Sequence, residues 1–218
     1  MKFSVSEENY LKAIYHLQEM DGTVSTNALA EKLVTKAASV TDMMKKLSGK
    51  GLLNYTPYYG FSLSNEGKKS AIFIIRRHRL WEYFLSQKLG FNWEEVHQLA
   101  EELEHVSSKK LIDRLDEYLG FPSYDPHGDP IPDSKGKMSV RSHFPLTLLP
   151  KNKPAAVCQV TNQSPEMLEL LKEKNIGIGT KLEVKKHFSF DQSIELKIKT
   201  KTVTISEQLA KNILVTDE

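Results

Sequence analysis

The chain has 218 residues, of which 39% are hydrophobic and 27% are charged, and its net charge at pH 7 is +2. That length allows two or three small domains, and the composition is typical of a globular protein. Because the sequence contains neither a long apolar run nor a signal-peptide pattern, we expect no membrane span and a cytoplasmic location. The single cysteine, Cys158, excludes an internal disulfide framework and fits a reducing compartment.

Charge is distributed unevenly along the chain. Residues 1–79 carry a net charge of +5, residues 80–133 carry −8, and residues 134–218 carry +5. A basic first third is suited to a polyanion, whereas an acidic middle section is suited to cations.

The first third predicts a winged helix-turn-helix domain over residues 1–72. Apolar spacing predicts helices over 6–20, with Ser6 as the N-cap, over 26–33, and from Ala38 to about Lys50. Two short segments, 52–56 and 61–64, then read as strands joined by a tight turn. In a winged helix-turn-helix, the helix after the turn enters the DNA major groove and the hairpin reaches the backbone.

The third helix and the hairpin turn supply the predicted DNA-binding residues. Short or basic side chains on the outer helix face suit phosphates and base edges, and tyrosines at the turn suit the sugar-phosphate backbone. The predicted contacts are Lys36, Ala38, Ser39, Thr41, Asp42, Lys45, Lys46, Tyr58 and Tyr59. A small helical domain with no DNA-binding role remains the alternative.

The middle of the chain predicts a metal site on helices. We expect helices from Asn65 or Glu66 to Leu89, from Trp93 to about His105, and from Ser107 or Ser108 to Leu119. Residues four apart share one helix face, so imidazole and carboxylate groups fall into matched pairs that suit a divalent first-row cation. These groups are His78 with Glu82, and His97 with Glu101, Glu104 and His105.

The same helices contain more apolar residues than one small layer needs to bury, so part of their surface is expected to face a second copy of the chain. The residues concerned are Ile72, Ile75, Leu80, Trp81, Phe84, Leu111, Ile112 and Leu115. We therefore assign residues 73–140 to a helical metal-binding and dimerisation domain.

The last third predicts a small β-barrel. Residues 121–154 are rich in proline, with glycine and charged residues between the prolines, and read as an ordered but irregular connector, of which 141–154 is the linker. Short segments in which apolar and polar residues alternate, at 157–160, 181–186, 194–200 and 202–205, predict strands, and residues 165–174 predict one helix. The domain is expected to span residues 155–218, and the overall fold class is expected to be mainly α.

With these elements and residues, the sequence resembles the diphtheria-toxin-repressor family of metal-dependent transcription regulators, in its long form with a C-terminal SH3-like (iron-transport-A-like) domain. The resemblance covers nearly the whole chain. Its most specific segments are Arg77-His78-Arg79-Leu80-x-Glu82, Val96-His97, Glu104-His105-Val106 and Gly128-Asp129-Pro130-Ile131-Pro132.

The resemblance implies two neighbouring metal sites. One would use Asn9 of the first helix with Glu101, Glu104 and His105, and the other would use His78, Glu82 and His97, sometimes completed by Gln163 and Glu166 of the C-terminal domain. Asn9, Gln163 and Glu166 are implied by the resemblance alone.

The ligand types favour manganese. Iron-type members carry a cysteine where this chain has Glu101, as the manganese-type members do. A carboxylate favours Mn(II), with Fe(II) as the alternative and Zn(II) or Co(II) possible in vitro. Short manganese-type members of the family have carboxylate residues at the two positions that align with Asn9 and Lys12 of this chain. Glu7 or Glu8 is the candidate to supply the missing carboxylate ligand.

The expected function is a metal-dependent, non-enzymatic repressor that binds a pseudo-palindromic double-stranded operator as a homodimer, has no membrane partner, and controls metal-uptake genes. Three alternatives remain open from the residues: a metal-independent DNA binder, a metal-buffering protein, and a two-metal hydrolase.

Overall fold

A computed structural model of the chain describes residues 3–56 and 60–217. The backbone divides into two compact units. The first contains Met1–His78, Glu101–Asp113 and Pro132–Lys137, and the second contains Arg79–Ala100, Arg114–Ile131 and Met138–Glu218. Among the described residues, no helix has both the length and the apolar character that crossing a bilayer requires.

The N-terminal elements follow the predicted order of three helices, a hairpin and a long helix. They are α1 (Val5–Asp21), α2 (Thr26–Lys32), α3 (Ala37–Gly49), β1 (Leu53–Thr56), β2 (Gly60–Leu63) and α4 (Asn65–Leu89). The strands β1 and β2 pair antiparallel, with Leu53 opposite Leu63. The core of the first unit lies between α1, α2, α3, β1, β2 and α4, and includes Leu11, Ile14, Leu29, Met44 and Leu47.

The N-cap of helix α1 lies two residues earlier than predicted. Ser4 is the N-cap, and a capping box joins it to Glu7: the Ser4 hydroxyl accepts from the Glu7 amide, and the Glu7 carboxylate accepts from the Ser4 amide. The prediction of Ser6 as the cap is wrong, because the reciprocal pair requires Glu three residues after the cap, and that spacing selects Ser4.

The Glu7 carboxylate also fixes α1 against α3. Its side chain is only 2% exposed, and its Oε1 atom lies 2.5 Å from Lys50 Nζ and 3.2 Å from Lys46 Nζ. The hydrogen bond from Lys50 is the main reason that the pKa of Glu7 falls to about 2, against a weaker opposing effect of burial. Lys46, a predicted DNA contact, is thus also part of this internal ion pair.

Helix α5 (Trp93–Leu103) is followed by α6 (Lys109–Tyr118). The prediction that α5 continues to His105 is wrong, because Glu104 and His105 form a turn after the helix end. The Ser108 hydroxyl then accepts from the Leu111 amide at the start of α6, which agrees with the predicted cap.

Half of the eight apolar residues expected at a contact between copies are buried within the single chain. Ile75, Leu80, Ile112 and Leu115 are each less than 9% exposed, whereas Leu111 is 43% exposed. Ile72, Trp81 and Phe84 are half-buried, so part of this apolar surface is left for another contact.

The C-terminal part of the second unit is a six-stranded antiparallel sheet with the order β3-β8-β4-β5-β6-β7. The strands are β3 (Phe144–Pro145), β4 (Pro154–Val160), β5 (Lys181–His187), β6 (Ile194–Ile198), β7 (Lys201–Ile205) and β8 (Ile213–Asp217), with helices α7 (Pro165–Glu173) and α8 (Glu207–Lys211).

Four of these strands were predicted, whereas β3, α8 and β8 were missed. Strand β8 pairs with both β3 and β4, so it is a central strand of the sheet. With 47% helix and 20% strand in the chain, the predicted class "mainly α" is only partly correct.

The Glu7→Gln variant should be less stable than the unsubstituted chain at pH 7 by about 1–3 kcal/mol, the usual contribution of a buried charged hydrogen bond. Since the folded-state pKa lies below the ordinary 4.5, this stabilisation is complete above that pH and is lost as the pH falls toward 2. Denaturant unfolding between pH 7 and pH 3 measures it. Glu19→Gln, at an exposed position of α1, is the control. A difference between Glu7→Gln and the unsubstituted chain that stays constant across this range would contradict the assignment.

Candidate metal centre and DNA-binding surface

A cluster of charged side chains in the first unit brings together α1, α4 and the end of α5. Its members are Glu8, Asn9 and Lys12 from α1, Arg77 and His78 from α4, and Glu101, Glu104 and His105 from the end of α5 and the turn that follows. Sequence spacing places Glu8 and Lys12 on one face of α1, next to Asn9.

Glu104 lies at the centre of this cluster and its side chain is completely buried. Its Oε2 atom lies 2.7 Å from His78 Nδ1, and Lys12 donates to both of its carboxylate oxygens at 2.7 Å. Burial alone would raise the pKa of Glu104, but the hydrogen bond from His78 and the charge of Lys12 hold that pKa below its ordinary value. Glu104 is therefore an ionised, fully buried carboxylate.

Glu8 forms a second group of contacts in the same cluster. Its Oε2 atom lies 2.7 Å from His105 Nδ1, and its Oε1 atom accepts from Arg77 Nη2 at 2.7 Å. Arg77 also donates through Nε to the backbone carbonyl of Glu104. Of the two acidic residues considered as substitutes for a missing carboxylate on α1, Glu8 thus lies in the cluster, whereas Glu7 contacts α3.

The Asn9 side chain provides a test of whether a cation fits here. Within the described part of the chain, the Oδ1 atom of Asn9 is buried and accepts no hydrogen bond. A buried amide oxygen without a donor is costly unless a cation or another donor satisfies it. Imidazole and carboxylate groups contact the nearby α1 residues Glu8 and Lys12, and together with them this oxygen fits the N/O ligand set of a divalent first-row cation. Asn9, Glu101, Glu104 and His105 would be its ligands, with Glu8 as a further carboxylate.

The second unit contains a separate buried cluster of Glu82, Asp125 and His127, whose potential ligand atoms lie within 4.8 Å of one another. His97 Nδ1 lies 3.1 Å from Glu82 Oε1, which agrees with the predicted pairing of these two residues. His78 has its Nδ1 2.7 Å from Glu104 Oε2 in the first unit, and its expected role as a ligand together with Glu82 and His97 stays a prediction.

Two atoms of this second cluster are buried without a hydrogen bond from any described residue: Asp125 Oδ2 and His127 Nδ1. The latter lies 3.8 Å from Glu82 Oε1, which is an ion-pair distance but too long for a hydrogen bond. Burial, together with the charge of Glu82, raises the pKa of Asp125 well above its ordinary value. Burial lowers the pKa of His127, but Glu82 and Asp125 overcome that effect and raise it to about 9.

Sequence reasoning missed Asp125 and His127, which were read as part of an irregular connector. The available signal was the alternation Asp125-x-His127-x-Asp129 within a loop rich in proline and glycine. The Asp125 Oδ1 atom accepts from the amides of His127 and Asp129, so this loop is folded around its own carboxylate.

The two residues implied for the C-terminal domain lie in different surroundings. Gln163 donates through Nε2 to Asp129 Oδ2 at 2.6 Å, and Asp129 also accepts from Gln159. Glu166 is exposed in the first turn of α7. Their ligand role stays a prediction.

The predicted DNA-binding face of α3 is exposed. This holds for Lys36, Ala38, Ser39, Thr41, Asp42, Lys45 and Lys46, while Val40, Met44 and Leu47 face the core. Lys45 lies 3.8 Å from Asp42, a weak surface pair that leaves the ammonium available to a phosphate. Tyr58 and Tyr59 lie outside the described residues.

Three family models match successive parts of the chain. The N-terminal DNA-binding domain of iron-dependent repressors matches residues 2–61, their metal-binding and dimerisation domain matches 64–133, and the FeoA domain matches 144–217. The iron-dependent repressor IdeR of Mycobacterium leprae is 32% identical over 181 residues, which cover 78% of this chain and 79% of that protein. The chain belongs to the iron-dependent repressor family. Members of this family are metal-dependent transcriptional repressors.

Other relatives of this repressor include both iron- and manganese-type proteins. The diphtheria toxin repressor of Corynebacterium glutamicum is 29% identical, covering 81% of this chain and 82% of its own. A solved structure of a manganese-dependent transcriptional repressor in complex with manganese is 33% identical, with a TM-score of 0.86 over 97% of this chain and 100% of its own. The family expected from the sequence is thereby confirmed.

Substitution of Asn9 tests whether its buried oxygen is a ligand. Asn9→Ala should weaken Mn(II) binding about 10-fold or more, since it removes one oxygen, while Asn9→Asp should strengthen it by adding a negative charge. Isothermal titration calorimetry on the full chain measures both. Equal affinities for the two variants and the unsubstituted repressor would exclude Asn9 from the ligand set.

Proposed function

We propose that this repressor senses Mn(II), with Fe(II) as the alternative ion, and represses metal-uptake genes in the cytoplasm by binding a pseudo-palindromic operator as a homodimer. The observation that carries the proposal is the Asn9 Oδ1 atom, which is buried on α1 with no hydrogen-bond donor among the described residues, one residue after Glu8 and three before Lys12. A divalent cation is a partner that suits such an amide oxygen.

The chemistry of the side chains favours manganese within the family. The cluster offers oxygen atoms from Asn9, Glu101 and Glu104 and nitrogen from His105. Hard oxygen ligands suit Mn(II), whereas softer sulfur ligands favour other first-row metals. The single thiol of the chain, Cys158, is buried in β4 of the second unit and does not belong to this cluster.

The ligands of the first unit connect the DNA-binding helices to the acidic middle of the chain. Asn9 lies on α1 two residues after Glu7, and Glu7 is paired with Lys46 of α3 and with Lys50, the residue that follows that helix. The positions of α1 and of the recognition helix are therefore coupled. When bound, a divalent cation supplies the positive charge that lets the carboxylates of α1 and of the end of α5 lie close together. The chain's own residues then hold α1, and with it α3, in one arrangement.

Such a mechanism has an energetic requirement. To make a minor DNA-binding conformation the dominant one, the ion must favour it by a factor of about 10²–10⁴, or about 3–5.5 kcal/mol. Ionic ligands in a site as buried as Glu104 are able to supply a preference of that size.

In the proposed DNA complex, α3 of each protomer enters the major groove at one half-site, and the half-sites are one helical turn or a multiple of it apart. Exposed Lys36 and Lys45 would pair with phosphates, and Ser39 and Thr41 would reach base edges. Binding is then expected to weaken as the salt concentration rises, because lysines displace counterions from DNA.

A second cation position is proposed at Glu82, Asp125 and His127, with His97 beside it. Two buried atoms there lack hydrogen-bond donors or acceptors among the described residues, and all three side chains are less than 9% exposed. The raised pKa of His127 favours the doubly protonated ring, and binding of an ion to this imidazole would have to release a proton.

Glu104→Gln should abolish Mn(II)-stimulated operator binding, because the amide retains the shape of the side chain but removes a central anionic ligand. Promoter DNA, chelator controls and anaerobic titrations of Mn(II), Fe(II), Zn(II) and Co(II) provide the measurement. Glu102→Gln, at the exposed neighbouring position of α5, is the matched control and should respond as the unsubstituted repressor does. Circular dichroism verifies that both variants fold.

Undiminished stimulation of Glu104→Gln by metal would reject this ligand assignment. DNA binding that does not change with chelator or metal would instead favour a metal-independent DNA binder, and metal binding without DNA binding would favour a buffering protein.

A further inference from the structure

Lys12 places a positive charge in the middle of the proposed metal-binding carboxylates. Its Nζ atom lies 2.6 Å from Glu101 Oε1 and 2.7 Å from each carboxylate oxygen of Glu104. A lysine ammonium group has three N–H donors. The three contacts with Glu101 and Glu104 are therefore enough to engage all three donors of Lys12.

The position of Lys12 is well defined within the first unit. Its side chain is 13% exposed, and that of Glu104 is completely buried. Lys12 lies three residues after Asn9 on α1, so both side chains project from the same side of that helix. The ammonium group and the buried Asn9 oxygen thus belong to the same cluster.

A divalent ion and this ammonium group would require the same oxygen atoms. Metal ions bind carboxylate oxygens along the directions that hydrogen-bond donors use, and two cations on one carboxylate pair repel each other strongly in a buried site. Glu104 has two oxygens, and Lys12 donates to both. Binding of a metal at Glu101 and Glu104 would therefore place a second cation against the ammonium group, and the repulsion between the two favours release of at least one oxygen by Lys12.

We propose that Lys12 is a built-in competitor of the metal ion: its ammonium group pairs with Glu101 and Glu104, and a divalent cation must displace it, so that Lys12 sets the metal concentration at which this repressor responds. The inference rests on the proposed function, since it concerns the affinity of that same site. The flexible four-carbon side chain of lysine allows the ammonium group to move out without a change in the backbone.

The competition has a structural consequence. In the absence of metal, Lys12 neutralises part of the repulsion between Glu101 and Glu104 and so preserves the contact between α1 and the end of α5. The metal must then replace an arrangement that Lys12 already stabilises. This lowers the apparent affinity of the site for the metal and raises the metal concentration at which the repressor responds.

Lys12→Met separates the two effects, because methionine is unbranched like lysine but uncharged. The variant should bind Mn(II) about 10- to 100-fold more tightly by calorimetry, and in chelator its thermal midpoint should fall below that of the unsubstituted chain. Lys32→Met, at an exposed position at the end of α2, is the control and should change neither quantity. Unchanged or weaker Mn(II) binding by Lys12→Met, while the unsubstituted repressor binds the ion, would overturn the competition and leave the proposed function intact.

Lysine labelling of the unsubstituted full chain keeps the inference testable even when Lys12→Met does not fold. Acylation by an N-hydroxysuccinimide ester, read by peptide mass spectrometry, should modify Lys12 slowly in chelator and several-fold faster with saturating Mn(II), whereas Lys32 should react equally in both. Equal labelling of Lys12 under the two conditions, with Mn(II) binding verified by calorimetry, contradicts the displacement. Absence of Mn(II) binding in both the unsubstituted chain and Lys12→Met would reject the proposed function as well.

Discussion

The buried carboxylate of Glu104 is the constraint on which the first unit depends. A fully buried ionised group is tolerated only when nearby charges and hydrogen bonds compensate it. Here Lys12 reaches it from α1 and His78 reaches it from α4, while Arg77 binds the backbone carbonyl of the same residue. The contacts that compensate the charge of Glu104 therefore bring together α1, α4 and the turn after α5, which are distant in sequence. Of these, α1 is also paired with the end of α3 through Glu7.

In this arrangement the proposed metal site and the DNA-binding helix α3 are close to each other, so no long chain of contacts is needed to couple them. The proposed ligands on α1 are one turn or less from Glu7, and Glu7 pairs with the last turn of α3 and the residue that follows it. A change in how α1 is held is thus close to the exposed face of α3. The second unit differs: beside the buried carboxylate of Glu82, Asp125 Oδ2 and His127 Nδ1 are buried without a hydrogen bond from the described residues.

Several parts of this fold could be predicted from the sequence, and the failures have physical causes. Helical spacing located α1 to α4, since their apolar stripes are clear, and local residue type placed Glu101, Glu104 and His105 near one another. The end of α5 at Leu103 was missed because the helical pattern of charges continues past it. Strand β8 was missed because its pairing with β3 and β4 depends on distant residues. The role of Lys12 was also inaccessible, because its partners lie 89 and 92 residues away and a lysine on a helix face is usually solvated.

The most direct test of the central claim is a crystal structure of the full chain grown with Mn(II), with the ion located by anomalous scattering. We expect an anomalous peak bonded to Asn9 Oδ1 and to a carboxylate oxygen of Glu104, with the Lys12 ammonium group moved away from that oxygen. A structure with Mn(II) bound elsewhere, and with Lys12 still donating to both oxygens of Glu104, would contradict it.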